Sequence, residues 1–232
     1  MKMPAEFDAY AEGGYTKLLE DPLRGKFARP AFFCERKLAV IRELHQLHGK
    51  QTDSARWLDV GCGEGELLKT GRRFFRDVAG CDVSAGMLQN CKGLNVKLQD
   101  SSRGIPFEDK SFDLITAVCV YHHVDINDRR ALTADIYRAL KPDGIFCVIE
   151  HNPLNILTQL IVRRSPIDAN AHLLTAGNVR RLASSTRMAV LATRYFLYFP
   201  ERLYLRLAGL EAKLSAIPIG GQYAVFCQKL EA

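Results

Sequence analysis

The sequence predicts an α/β domain built on a parallel sheet with helices over both faces. Two observations carry that prediction. Short apolar runs alternate with amphipathic segments at the spacing of strand–helix–strand units. Those runs, such as FDLITAV and IFCVI, are also nearly continuous, as strands covered on both sides require. Crossovers between such strands are right-handed. The 232 residues suffice to bury a sizeable core in one domain, with or without a helical extension. Hydrophobic residues make up 47% and charged residues 25%, an ordinary globular balance.

The elements follow in order. Residues 1–30 mix aromatics with Gly and Pro and read as a short helix or two, then a loop. From Pro30, AFFCERKLAVIRELHQL repeats apolar residues at helical spacing, and Gly49 stops the helix. RWLDV is a strand. ELLKTGRRFF is a helix, broken at Gly71. DVAGCDVS is a second strand ending in an acidic turn, AGMLQNCKG a helix and NVKLQD a third strand. FDLITAVCVYHH is a buried strand with the loop beyond it. DRRALTADIYRAL is a helix closed by the KPDG turn, and IFCVIE is the fifth strand. Beyond Glu150 the rhythm changes to a long segment with a polar start. There Thr175 is placed to cap a helix through NVRRLASS. MAVLATRYFLYFP contains a strand, ERLYLRLAGLEAKLSAIP is an amphipathic helix, and GQYAVFCQKL is a strand expected to insert antiparallel at a sheet edge.

Composition narrows the function classes. The seven cysteines form no CxxC pair, and their number is odd. Several lie inside apolar runs, which reads as buried thiols in a reducing compartment, with no metal site expected. The first residues hold no long apolar segment, and no run of 18 apolar residues occurs, so the expected location is the cytoplasm. The formal charge of +6 favours anionic partners weakly. GRRFFR is basic but has no accompanying recognition motif, so nucleic acid is not an expected partner.

The stretch LDVGCGEGE carries the chemistry. Gly61, Gly63 and Gly65 follow a strand and precede a helix, where glycine permits a sharp turn and close ligand approach. Asp82 ends the next strand, where a carboxylate can accept both hydroxyls of a ribose. No GK[ST] follows, which disfavours a P-loop. The dinucleotide fingerprint calls for a third glycine where Glu66 stands, and Glu64 and Glu66 would repel a pyrophosphate. A cofactor with a ribose and no phosphate fits better, and a nicotinamide oxidoreductase stays open as a rival.

In these residues the chain resembles the class I S-adenosylmethionine-dependent methyltransferases, in their small-molecule branch. LDVGCGEG resembles the family's first motif and CDVSAGML its acidic second-strand motif. IPFEDKSFDLITAVCVYHHV resembles the approach to strand four, LKPDGIFCVIE the turn before strand five, and FDAYAEGGY the N-terminal aromatic segment. The likeness covers roughly residues 7–150. It implies a Rossmann-like, doubly wound, seven-stranded and mainly parallel sheet with an antiparallel last strand. A helical N-terminal segment and a helical insertion before the final strands complete that picture. The cofactor is then S-adenosyl-L-methionine. Asp59, Gly61, Cys62, Gly63 and Gly65 would face its methionine portion, Asp82 its ribose and Val83 its adenine, with Met87 packing nearby. Asp100 and Ser101 would lie by the adenine and Cys119 by the methionine end, while Tyr10 and Tyr15 would cover the cofactor.

Candidate bases cluster at strand tips. His122 and His123 follow the fourth strand and His151 the fifth, and such tips face the ligand crevice of an open parallel sheet. Imidazole has the reference pKa for base work near neutrality. In EHNPLN, the polar Glu150, His151, Asn152 and Asn155 orient a substrate or close the loop. Asp168 and His172 lie farther along, with Arg163 and Arg164 between. No (D/N/S)-P-P-(Y/F) follows strand four, which weakens an amino-directed reading. The late segments, with RYFLYFP and IPIGGQYAVF, resemble a subset associated with polysaccharide or secondary-product pathways. The helix from Glu201 covers the sheet, pairs two subunits or rests on an anionic membrane.

The expectation is therefore methyl transfer to a small or medium polar acceptor, small-molecule or glycan- or lipid-linked, with a hydroxyl oxygen first. His151 or His123 deprotonates it, with His122 a third candidate, in a monomer or homodimer that needs no metal. Carbon or nitrogen methylation, or a non-catalytic cofactor-binding scaffold, are the alternatives. Residues 1–232 form one domain, with a helical cap at 1–50, a cofactor-binding core at 51–150, and a substrate-side insertion with sheet completion at 151–232.

Overall fold

The computed structural model describes residues 4–12, 22–100 and 103–230. Tyr15 and Ser101 lie outside them. Among the described residues three helices come first: α1 (Pro4–Glu12), α2 (Pro22–Phe27) and α3 (Pro30–Leu47). The core alternates as β1 (Arg56–Val60), α4 (Glu66–Gly71), β2 (Asp77–Asp82), α5 (Ala85–Leu88), β3 (Asn95–Leu98), β4 (Phe112–Val118), α6 (Arg129–Ala139) and β5 (Leu140–His151). Then follow α7 (Ile156–Arg164), a 3₁₀ turn (Pro166–Asp168), α8 (Ala176–Ser184), β6 (Met188–Phe196), α9 (Glu201–Leu214) and β7 (Gln222–Lys229).

The seven strands form one sheet in the order β3-β2-β1-β4-β5-β7-β6. β3 to β5 pair in parallel, and β7 runs antiparallel to both β5 and β6. Two apolar clusters, one on each face, sandwich the sheet; Ile115 and Val148 belong to one, Leu114 and Ile149 to the other. That alternation along β4 and β5 is the two-sided burial read from their continuous apolar sequence.

Three details differ from the sequence reading. β7 lies inside the sheet rather than at its edge. Its residues are buried nearly throughout, whereas β6 is half-exposed along its middle and takes the outer place. KPDG does not end before β5 but is its irregular first part. Asp143 adopts φ 58° there and the register to β4 shifts beside Phe112. The helix from Glu201 is not a core helix, because Glu211 is its one buried residue. Thr175 does cap α8, accepting from the Asn178 amide in a reciprocal capping box.

Candidate active site

The C-terminal tips of β1, β2, β4 and β5 open on one cavity of about 1040 Å³. Open parallel sheets place ligands at such tips, where adjacent crossovers leave toward opposite faces. Asp59, Gly61, Cys62, Gly63, Asp82, Val83 and Met87 line one side, and Cys119, His122, His123 and His151 the other.

On the first side the glycine loop turns back over β2. Gly61 and Cys62 donate their amides to the Cys81 carbonyl (2.7 and 3.0 Å). Gly63 has φ 54° and donates to Asp82 Oδ2 at 2.8 Å. A Cβ built on Gly63 would meet no protein atom within 4 Å, so the space over this turn is left to a ligand. Gly65 differs: its Cβ would strike Leu94 at 2.7 Å and Cys91 at 3.0 Å. It serves helix–loop packing, not the cavity.

Two buried carboxylates face this side. Asp82 accepts from Gly63 and, through Oδ1, from the Ser84 amide (2.9 Å). Each oxygen keeps a further lone pair. Burial raises its pKa, and the loop amides oppose that rise. Asp59 accepts from Thr116 Oγ1 at 2.5 Å, and Trp57 Nε1 donates to the same hydroxyl at 2.8 Å. Burial pushes Asp59 up to about 7, against the Thr116 bond and the Lys37 charge. Among the described residues neither carboxylate has an ion-pair partner within salt-bridge distance. α1 closes over the same side: Ser84 Oγ and the Gly86 amide both donate to Asp8 Oδ1 (2.6 and 2.8 Å).

The second side is a closed charge network. His122 is 1% exposed, and its Nδ1 donates to Glu150 Oε2 at 2.5 Å. Its Nε2 faces Asp168 Oδ1 at 3.3 Å. Burial alone would lower its pKa, but the two carboxylates overcome that and raise it to about 10. Glu150 also accepts from the Tyr121 amide (2.7 Å), and its pKa and that of Asp168 are held down by His122 against burial. Held between two carboxylates, His122 favours its protonated form, which speaks against it as the base. His123 Nε2 lies 3.5 Å from Asp168 Oδ1. His122, His123 and Asp168 bring three metal-competent atoms within 4.8 Å. A cation there would have to displace the proton that Glu150 and Asp168 hold on His122.

Cys119 joins the two sides. It leaves β4 at φ 59°, a left-handed conformation that swings its thiol into the cavity. Lys37 Nζ from α3 donates to its sulfur (3.6 Å), as does Gln222 Nε2 from β7 (3.5 Å). Burial raises the thiol, yet Lys37 and His151 outweigh it and hold Cys119 at about 6. His151 Nδ1 lies 3.5 Å from Gln222 Nε2.

Other expected residues lie elsewhere. Asp100 is exposed and pairs with Arg103 at 3.5 Å, and Gln99 lines the cavity in its place. Tyr10 donates to the Pro166 carbonyl (3.2 Å), and Phe7 lines the cavity from the same helix. Asn152 closes the loop, donating to the Pro218 and Gly220 carbonyls (3.0 and 2.8 Å). Asn155 caps α7 through Thr158 and also reaches the cavity. His172 is exposed and outside the cavity lining, and it donates its amide to the His122 carbonyl (2.8 Å). Lys37, Gln99 and Gln222 were missed, since a long polar side chain on an amphipathic helix or strand carries no motif.

Comparison with known proteins agrees with this geometry. Residues 58–148 match the family model described as a methyltransferase domain. The chain is 32% identical over 104 residues to the uncharacterized methyltransferase YcgJ of Bacillus subtilis, covering 41% of this chain and 40% of that protein. It is 32% identical over 141 residues to a demethylmenaquinone methyltransferase of Tropheryma whipplei, covering 55% of this chain and 58% of the relative. The chain thus spans about half the length of these relatives. Among solved structures, an S-adenosylmethionine-dependent methyltransferase from Archaeoglobus fulgidus superposes with a TM-score of 0.61 at 18% identity. That match covers 87% of this chain and all of the other. The open space over Gly63 and the two buried carboxylates beside it fit S-adenosylmethionine, a cationic ligand with a ribose.

Proposed function

We propose that the protein, whose residues 58–148 match a methyltransferase domain, takes S-adenosylmethionine as its cofactor and transfers the methyl group to a hydroxyl oxygen of a small or medium acceptor. One observation carries the reading. A single cavity has buried carboxylates on one wall, without ion-pair partners among the described residues, and histidines on the other.

When bound, the cofactor supplies an electrophilic methyl on a sulfonium, so the protein's work is alignment, desolvation and proton removal. Asp82 accepts from the ribose hydroxyls, and Asp59 faces the positive methionine end. Gly61, Cys62 and Gly63 let that end approach, Val83 and Met87 flank the base, and Phe7 with α1 covers it. His151, beside Cys119, would take the acceptor's hydroxyl proton during transfer. His123, set by Asp168, orients the acceptor. His122 stays protonated and fixes this wall. In this assignment 1–50 is the cap, 51–150 the cofactor core and 151–232 the acceptor side.

A carbon acceptor is the second reading, favoured by a 29% identity over 104 residues to the ubiquinone/menaquinone biosynthesis C-methyltransferase UbiE of Desulfotalea psychrophila. Product analysis separates the two. The decisive experiment is calorimetry with S-adenosylmethionine and S-adenosylhomocysteine, followed by an acceptor screen read as demethylated cofactor. Binding of both ligands supports the reading, and failure of folded protein to bind either one sinks it.

A further inference from the structure

Helix α7 is apolar on two sides. Leu157 and Ile161 face the cavity, yet Ile156 and Leu160 are 83% and 49% exposed on the outside. A helix covering a domain normally presents polar residues there. α9 repeats the pattern, with Leu205 90% exposed. The connection from α9 to β7 ties the two helices together. Asn155 Nδ2 at the head of α7 donates to the Ile219 carbonyl at 2.7 Å, and Ile219 is itself exposed. Leu154 and Ile156, the neighbours of Asn155 in the chain, are therefore near the exposed Ile219 at the head of α7. Apolar side chains collected in this way mark an interaction surface.

The charges around them have one sign. α7 contains no acidic residue and ends in the exposed Arg163 and Arg164. α9 contains two glutamates, and both are taken up. Glu201 pairs with Arg29, and Glu211 pairs with Arg36 at 2.8 Å. Arg202, Arg206 and Lys213 remain exposed along α9. A second copy of the chain on this face would set cations against cations. An anionic lipid surface matches both the apolar groups and the charge, with each basic side chain near it adding about fivefold in binding. Among the described residues no helix is long and apolar enough to cross a membrane, so the contact these helices make is peripheral.

We propose that the outer faces of α7 and α9 dock on an anionic bilayer, from which a lipophilic or lipid-linked acceptor enters beside α7. The acceptor's class rests on the methyltransferase reading above; the docking does not. The test is sedimentation of the full chain with phosphatidylcholine vesicles, with and without phosphatidylglycerol. Calorimetry with S-adenosylmethionine runs alongside. The expected result is salt-sensitive binding that needs phosphatidylglycerol. The Ile156→Asp, Leu160→Asp double variant should weaken it more than about tenfold with cofactor affinity unchanged. Arg202→Gln with Arg206→Gln should weaken it without touching apolar contacts. No vesicle binding, equal binding to both vesicle types, or indifference to both variants overturns the proposal. So does a concentration-dependent dimer that the Ile156→Asp, Leu160→Asp variant abolishes. Vesicle binding without cofactor binding would retain the docking and sink the methyltransferase reading instead.

Discussion

The two walls of the cavity bury charge in opposite ways. On the cofactor side, Asp59 and Asp82 are buried with neutral hydrogen-bond donors, and burial raises both pKa values. On the acceptor side, His122 sits between Glu150 and Asp168, and each member stabilises the charge of the others. The first wall is electrostatically unfinished, as the proposed cationic cofactor requires. The second is complete in itself and can position neutral neighbours. One fold thus keeps a receptor for positive charge beside a rigid polar platform.

The contrast can be broken in four places. The largest effect is expected at the platform's reactive neighbour: His151→Ala should lower turnover roughly 10²- to 10⁴-fold with cofactor affinity retained. Kinetics with an identified acceptor, read with calorimetry, checks this, and a parallel loss of cofactor affinity would reassign His151 to the first wall. Next comes Glu150→Gln, which leaves a buried imidazolium half-paired and should cost about 3–5 kcal/mol. Thermal unfolding should show a melting point lower by roughly 10 °C. The sign with pH follows from the raised His122 pKa, set by burial against Glu150, Asp168 and Cys119. Its stabilisation is full below 6.5 and is lost as pH rises toward about 10, so the variant's stability should fall less over that range.

The cofactor wall should respond in affinity. Asp82→Ala should weaken S-adenosylmethionine roughly ten- to hundredfold by removing charge-assisted hydrogen bonds. An unchanged isotherm would remove Asp82 from the ribose site. The smallest effect is a pH dependence at Asp59, which faces Lys37, Asp82, Cys119 and Thr116. Its pKa is raised from 3.8 to about 7, so the folded protein binds the extra proton and loses stability as pH climbs through that interval. A cationic cofactor prefers the ionised form. Affinity should therefore rise about tenfold from a unit below 7 to a unit above, and Asp59→Asn should flatten the rise.

What the sequence discloses follows the same division. Asp59, the glycine turn and Asp82 are legible because strand, turn and strand tip lie within 24 residues of one another and each demands its residue type locally. The parallel strands are legible through continuous apolarity. Glu150 and Asp168 lie 28 and 46 residues from His122, so their convergence is a product of topology that no local pattern announces. The thiol of Cys119 is similar: Lys37 and Gln222 reach it from opposite ends of the chain. The inner place of β7 was hidden because antiparallel insertion at an edge and between strands need the same short apolar sequence.

That inner place of β7 has a consequence for biosynthesis. The flank of β5 that carries Cys147 and Val148 pairs with residues 222–229, and β6 reaches the sheet only through the same strand. While the chain emerges from a ribosome, β5 therefore presents an unpaired apolar edge through some 70 residues of further synthesis. The sheet cannot close until its last strand is released. Shielding by a chaperone, or fast synthesis of that stretch, would then protect the chain from aggregation at that edge.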